Sequence, residues 1–272
     1  MVRKHTYYRA VSVLWFFGSM VGFIAVGLGM LEPTVPASLV PSRAVAFGGG
    51  VGVGLAGLAV IQLFQARAWV RAGRRADLSP QGLALPLRTP DMVGEVDGRP
   101  VRAFTVSRST GGGESSGKSM FTRIEADLDE PAGTGCLLYP HGDASAGDEA
   151  LRDLQLPSAT VDGVLAMGPS EEFARAVLTP TVVDTLEEAD SVDAVYVGDA
   201  GGLVAEMVSA NDSSFLGGLA KRAMKSLPGG ESSAGIETKG AVLEADMLAE
   251  QTRAVAAVAE GFEQADSTAP TA

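Results

Sequence analysis

The chain is poor in the residues that carry most metal, redox and acid–base chemistry. Among its 272 residues there is one cysteine, Cys136, and there are two histidines, His5 and His141. A single cysteine excludes an intramolecular disulfide framework and a Cys-based structural zinc site. The two histidines are separated by long apolar segments, which excludes a His-rich metal centre. No calcium-loop spacing occurs around the aspartates, and no metal or cofactor is expected. Acidic residues are also nearly absent from the first 75 positions, where Glu32 stands alone against eight Lys/Arg. That head carries +7 and the remaining body −19, which together make the net −12. So acidic a body argues against non-specific nucleic-acid binding.

Charge is missing altogether from two long runs. Residues 10–31 and 44–66 contain no Asp, Glu, Lys or Arg. At about 1.5 Å per residue, a 21-residue helix reaches roughly 31 Å, the thickness of a bilayer's hydrocarbon. Residues 32–43 between the runs hold three prolines, which suit a turn outside lipid. The expectation is a transmembrane helical hairpin with spans at about 11–31 and 44–65. Arg3, Lys4 and Arg9 precede it and Arg67, Arg71, Arg74 and Arg75 follow it, whereas the loop carries only Arg43. Positive flanks stay inside, so a multi-pass protein of the cell membrane with both termini cytoplasmic is expected. Tyr7, Tyr8, Trp15 and Trp69 fall where interfacial rings settle. The segment Gly52-Val-Gly-Leu-Ala-Gly57 matches the dinucleotide fingerprint in letters, but that motif needs a strand before it and an aqueous pyrophosphate. Gly48/Gly52 and Gly50/Gly54 offer small-residue spacing for helix contact instead.

Past the arginines, residues 76–210 read as a cytosolic α+β domain. Met92–Val96 and Arg99–Val106 flank Asp97-Gly98, the dipeptide of a type I′ hairpin turn. Strands are expected at 121–128, 135–139 and 161–167. In the first, Thr122, Ile124, Ala126 and Leu128 face one way and Arg123, Glu125 and Asp127 the other. Ser170 caps one helix ahead of 173–178, and Pro180 separates it from a second at 181–189. Residues 194–197 and 203–208 read as a closing hairpin. Residues 211–272 form the third region. It has a basic amphipathic helix at 213–227, a Gly/Ser linker at 228–235, an Ala-rich helix at 238–263 and a disordered tail. The fold class is α+β: a membrane hairpin, then a mainly antiparallel β domain with short helices and a C-terminal helix.

One loop carries a chemical motif. Gly112-Gly-Glu-Ser-Ser-Gly117-Lys118-Ser119 matches the phosphate-binding loop, in which Lys118 would meet phosphate oxygens and Ser119 a Mg²⁺ ion. That loop must open a helix whose N-terminus faces the phosphates. The residues after Ser119 alternate with period two, as a strand does. The overlapping Gly113-Glu-Ser-Ser-Gly117 also matches the serine-hydrolase elbow, which requires strand-turn-helix and a downstream histidine. A Gly/Ser-rich hairpin connection explains both matches. No catalytic residue is assigned. His141 lies in a turn sequence, and Cys136 reads as a small buried hydrophobe.

Two spans, a basic juxtamembrane stretch and the segment Ser158–Pro180, with its helix ending Leu178-Thr-Pro180, resemble a loose group of prokaryotic membrane proteins. Val161 stands where that group has an aromatic residue before the aspartate. The resemblance implies no activity and no site residues. Five lysines against sixteen arginines, with abundant Asp, Glu and Ala, are similar to haloarchaeal composition. The function expected is a non-enzymatic, membrane-anchored interaction or assembly module. Its partners would be the bilayer and a protein, or a second copy, bound through 211–263. The alternative is a membrane-tethered nucleotide-binding enzyme using residues 112–119.

Overall fold

A computed structural model describes residues 4–27, 43–85, 89–110, 117–140, 157–189, 192, 194–203 and 232–268. The chain divides into two compact units, residues 1–71 with 82–90, and residues 72–81 with 91–272.

The first unit is built on α1 (Lys4–Gly27) and most of α2 (Arg43–Arg75). Gly54 faces Phe16 and Ser19, and Gly57 faces the Trp15 indole. Residue numbers fall along α1 as they rise along α2, so the helices pack in opposite directions. A Cβ on Gly57 would overlap the Trp15 ring, so only glycine admits this approach. The small-residue contact therefore uses Gly54 and Gly57; a Cβ on Gly52 would meet nothing within 4 Å. The fingerprint glycines 52–57 lie inside a continuous helix, without the strand-turn-helix a dinucleotide requires.

Among the described residues, one helix, Val51–Arg75, is long and apolar enough to cross a membrane; Ala10–Gly22 is a shorter apolar helix. The expectation of two spans is thus met in part, by one. Trp69 departs from its expected interfacial place. It is fully buried, and its indole Nε1 donates to Pro90 O at 2.8 Å. Its ring is a structural peg within the unit, whereas Trp15 is 45% exposed.

The second unit is a nine-stranded antiparallel sheet: β1 (Ser79–Gln81), β2 (Asp91–Val96), β3 (Arg99–Thr110), β4 (Gly117–Asp127), β5 (Gly135–Tyr139), β6 (Ser158–Val161), β7 (Val164–Met167), β8 (Ala194–Gly198) and β9 (Ser233–Lys239). Their spatial order is β1-β2-β3-β4-β9-β8-β5-β7-β6. One register row runs through Met92, Ala103, Ile124, Ile236, Val195, Leu138 and Ala166, each paired with the next. All seven are fully buried. Helix α5 (Ala245–Thr268) covers this face with Leu248, Val255, Val258 and Phe262. Each large side chain so buried contributes about 1.5–3 kcal/mol. Helix α3 (Glu171–Val177) sets Phe173 edge-on to Phe262, ring centroids 5.5 Å apart, and α4 (Pro180–Glu188) follows.

The Asp97-Gly98 turn forms as expected: Asp97 has φ 52° and Gly98 φ 82°, the positive pair a type I′ turn demands. Ser170 caps α3 by accepting from Phe173 N at 3.1 Å, and Thr179 caps α4 with Pro180 in its first turn. Four expectations are corrected. The run 161–167 is not one strand but part of the β6–β7 hairpin, because Asp162 (φ 47°) and Gly163 (φ 86°) make a second turn of the same kind. Strand β8 pairs with β5 and β9, so both its edges are taken and it closes no hairpin with 203–208; Leu203 is helical and 204–208 lie outside the described residues. The expected linker 228–235 runs into β9, which inserts between β4 and β8. The last helix starts at Ala245 rather than 238 and reaches Thr268. Its apolar face is spent on the sheet. The expected helix 213–227 and residues 269–272 lie outside the described residues.

Candidate functional site

The sheet's other face carries a ladder of ion pairs. Arg102 pairs with Asp91 at 2.5 Å and Arg123 with Glu125 at 2.8 Å, while the Arg102 guanidinium lies 4.7 Å from the Phe104 ring centroid. The Asp91 hydrogen bond chiefly raises the Arg102 pKa above the ordinary guanidinium value.

A different arrangement lies beside α5. The β2–β3 turn, the segment after β4 and one side of α4 enclose a trough of about 440 Å³ along that helix. Ala256 and Ala257 line it from α5, and Thr181 and Thr185 from α4. Arg99, first residue of β3, ties its walls together. Its guanidinium donates to both Glu263 carboxylate oxygens, at 3.1 and 2.5 Å, and to Asp127 O at 2.6 Å. Asp129 N donates to the same carboxylate at 2.6 Å. The Glu263 hydrogen bond raises the Arg99 pKa, burial works against it, and the charges of Glu263, Asp129 and Glu260 add to the rise. Arg253 occupies the other end of the trough, seven residues before Glu260.

The lining has no histidine, cysteine, serine or lysine. Carboxylates, guanidinia and threonine hydroxyls beside alanines form a polar surface without a nucleophile–base pair. Among the described residues, no group of three or more His, Cys, Asp and Glu is placed to hold a metal ion.

The residues singled out in the sequence lie elsewhere. Gly117, Lys118 and Ser119 begin β4, paired with Thr110, Ser109 and Arg108. The backbone after Lys118 is an extended strand, so the helix that a phosphate loop requires is replaced by a β-ladder, which overturns the nucleotide-loop geometry. Gly112 and Ser115 lie outside the described residues, as does His141. Sequence reasoning missed the trough. The only local signal was the Asp97-Gly98 turn, since Arg99 and Glu263 are 164 residues apart.

Cys136 is fully buried in β5, and desolvation pushes its thiol up to about 12 against a smaller opposing hydrogen bond from Leu137. The consequence for stability has a definite sign. In the unfolded chain the thiol ionises near its ordinary value of about 8.5, while the native chain retains its proton. Stability is therefore lost as pH rises from that value toward 12, at about 1.4 kcal/mol per unit. Denaturation at pH 10 is expected to show a loss of about 2 kcal/mol that Cys136→Ala removes; equal slopes in both proteins would refute it.

No protein-family model and no curated protein matches the chain. Among solved structures, the crystal structure of the mycobacterial trehalose monomycolate transport factor A, TtfA, is similar over 73% of this chain and 94% of that one, at 9% identity and TM-score 0.43. Likeness at that level bears on neither activity nor partners.

Proposed function

We propose that this is a membrane-anchored, non-enzymatic protein whose α+β domain serves as an interaction or assembly module at the cytoplasmic face. The observation that carries the reading is the helix Val51–Arg75. Only 17% of its most apolar window is buried, whereas the core helix of a soluble domain is mostly buried. Leu55, Val60 and Phe64 are each more than half exposed along it, as are Leu14, Phe17 and Val21 on α1. Water does not favour so much contiguous apolar surface; lipid does.

In this reading α1 is a second span packed against the first through Trp15, Gly54 and Gly57. The arginines at 67, 71, 74 and 75 hold the end of α2 on the cytoplasmic side. The carboxylate-rich domain suits a salty cytosol, where its charge is screened within a few ångströms.

The test is extraction of membranes at alkaline pH, which strips peripheral proteins. The chain is expected to stay with the bilayer, and its release would overturn the anchor. Buried Cys136 is a poor topology probe, so the second arm uses Cys136→Ala with Glu130→Cys, an exposed position. A membrane-impermeant maleimide should label it only after permeabilisation. Labelling of intact cells would put the domain outside.

A further inference from the structure

We propose that the trough along α5 is the docking surface for a partner protein's segment bearing lysine or arginine, a refinement that rests on the interaction-module reading. Six charged residues line the trough, four acidic and two basic. Arg99 is spent on Glu263 and on Asp127 O, and those two charges cancel. Arg253 lies at the far end, its Nε turned back to Ala249 O at 3.4 Å. Asp97 stands two residues before Arg99, and the charges of Asp129 and Glu260 both act on the Arg99 guanidinium, so these three carboxylates lie toward the Arg99 end of the trough. Asp129 is 4.0 Å from the committed Arg99, and Glu260 acts on that same guanidinium through space while accepting from the neutral Gln264 amide at 3.2 Å. Among the described residues, that end carries negative charge without a full counter-charge.

The shape fits a chain segment. Arg253 and Glu263 are ten residues apart on α5, roughly 15 Å along its axis, the reach of four or five extended residues. The alanine lining accepts the aliphatic stem of a lysine or arginine while the charged head meets the carboxylates. Asp129, with its side chain 86% exposed, shows the trough open to water at the acidic end. A free polyamine would stay largely hydrated there, whereas a segment adds backbone and several side chains. The inward face of α5 is already committed to the sheet, so partner binding through this helix falls to the outward face that Arg253, Ala257 and Glu260 occupy.

The experiment uses the full chain in detergent and a fluorescent peptide, acetyl-Ala-Ala-Arg-Ala-Arg, followed by anisotropy. Saturable binding is expected, at least tenfold weaker in the Asp97→Asn, Glu260→Gln double variant. It should be unchanged in Glu172→Gln, Glu188→Gln, which removes the same charge from exposed positions outside the trough. Ala257→Trp, which fills the trough, should abolish it. Equal weakening by both double variants would mean that only the general acidic field attracts the peptide, and would overturn the proposal. So would wild-type binding by Ala257→Trp, absence of saturation, or full displacement by an equal concentration of spermidine. Membrane retention is read separately: a chain that stays in the bilayer but ignores the peptide refutes the trough alone, and one that is released yet binds refutes the anchor alone.

Discussion

Thr122→Val is expected to lower the unfolding free energy by about 2–6 kcal/mol, although it changes no apolar contact of any size. Thr122 is 1% exposed, and its hydroxyl works in both directions: it donates to Gly240 O at 2.8 Å and accepts from Val242 N at 2.9 Å. Those two backbone groups belong to the turn between β9 and α5, where Gly240 has φ 93°. Valine keeps the shape and removes both partners. A carbonyl and an N–H are then left buried, at about 1–3 kcal/mol each. Against a typical total of 5–15 kcal/mol, that is a large fraction. Thr122→Ser keeps the hydroxyl and loses one methyl, so it should cost about 1 kcal/mol. Denaturant titration of the three proteins decides the matter. If valine and serine cost the same, the hydroxyl is not what holds the turn. The same turn sets the start of α5, so the valine variant should also weaken whatever the trough binds.

Gly198→Ala should be nearly as damaging, for a steric reason. Gly198 has φ 58°, and an added Cβ would overlap Thr134 O and lie 2.8 Å from the Ala132 Cβ. Thr134 O also accepts from Asp199 N at 3.2 Å, so the backbone has little room to yield. The left-handed conformation costs about 1–2 kcal/mol for an alanine and the overlap another 1–3, for a sum of about 2–5 kcal/mol. Gly163→Ala separates the two contributions. Gly163 has φ 86° and open space around the missing Cβ, so it should show the conformational cost alone. Thermal unfolding of the pair is the measurement; equal shifts would show that crowding at Gly198 is relieved without cost.

Much of the sheet was legible because its signals are local. The alternation that put Thr122, Ile124 and Ala126 on one face and Arg123, Glu125 and Asp127 on the other holds: the first three are buried, and Asp127 is exposed. The Asp97-Gly98 turn and the Ser170 cap hold as well, since both depend on a few consecutive residues. The Asp162-Gly163 turn has the same signature, but the apolar residues on both sides of it read as one continuous strand.

Strand β9 was hidden for a different reason. Ser233-Ala-Gly-Ile-Glu-Thr-Lys239 has one large apolar residue, Ile236, and follows the Gly- and Ser-containing run 228–232. Its backbone is extended because β4 and β8 pair with it on both sides, and neither neighbour adjoins it in the chain. Thr238 likewise reads as an ordinary polar residue until Gln251 Nε2 of α5 donates to its hydroxyl at 3.0 Å in the core.

By itself, the sequence determined the apolar helix and its arginine flank, the alternation along β4, the turn dipeptides and the helix caps. Each of these follows from chemistry within a few residues. Only the tertiary structure decided that Gly57 makes room for Trp15. It alone decided that β9 completes the sheet, and that Asp97, Asp129 and Glu260 share one trough. Those outcomes rest on contacts between residues far apart in the chain, where packing and paired backbone hydrogen bonds outweigh local preference.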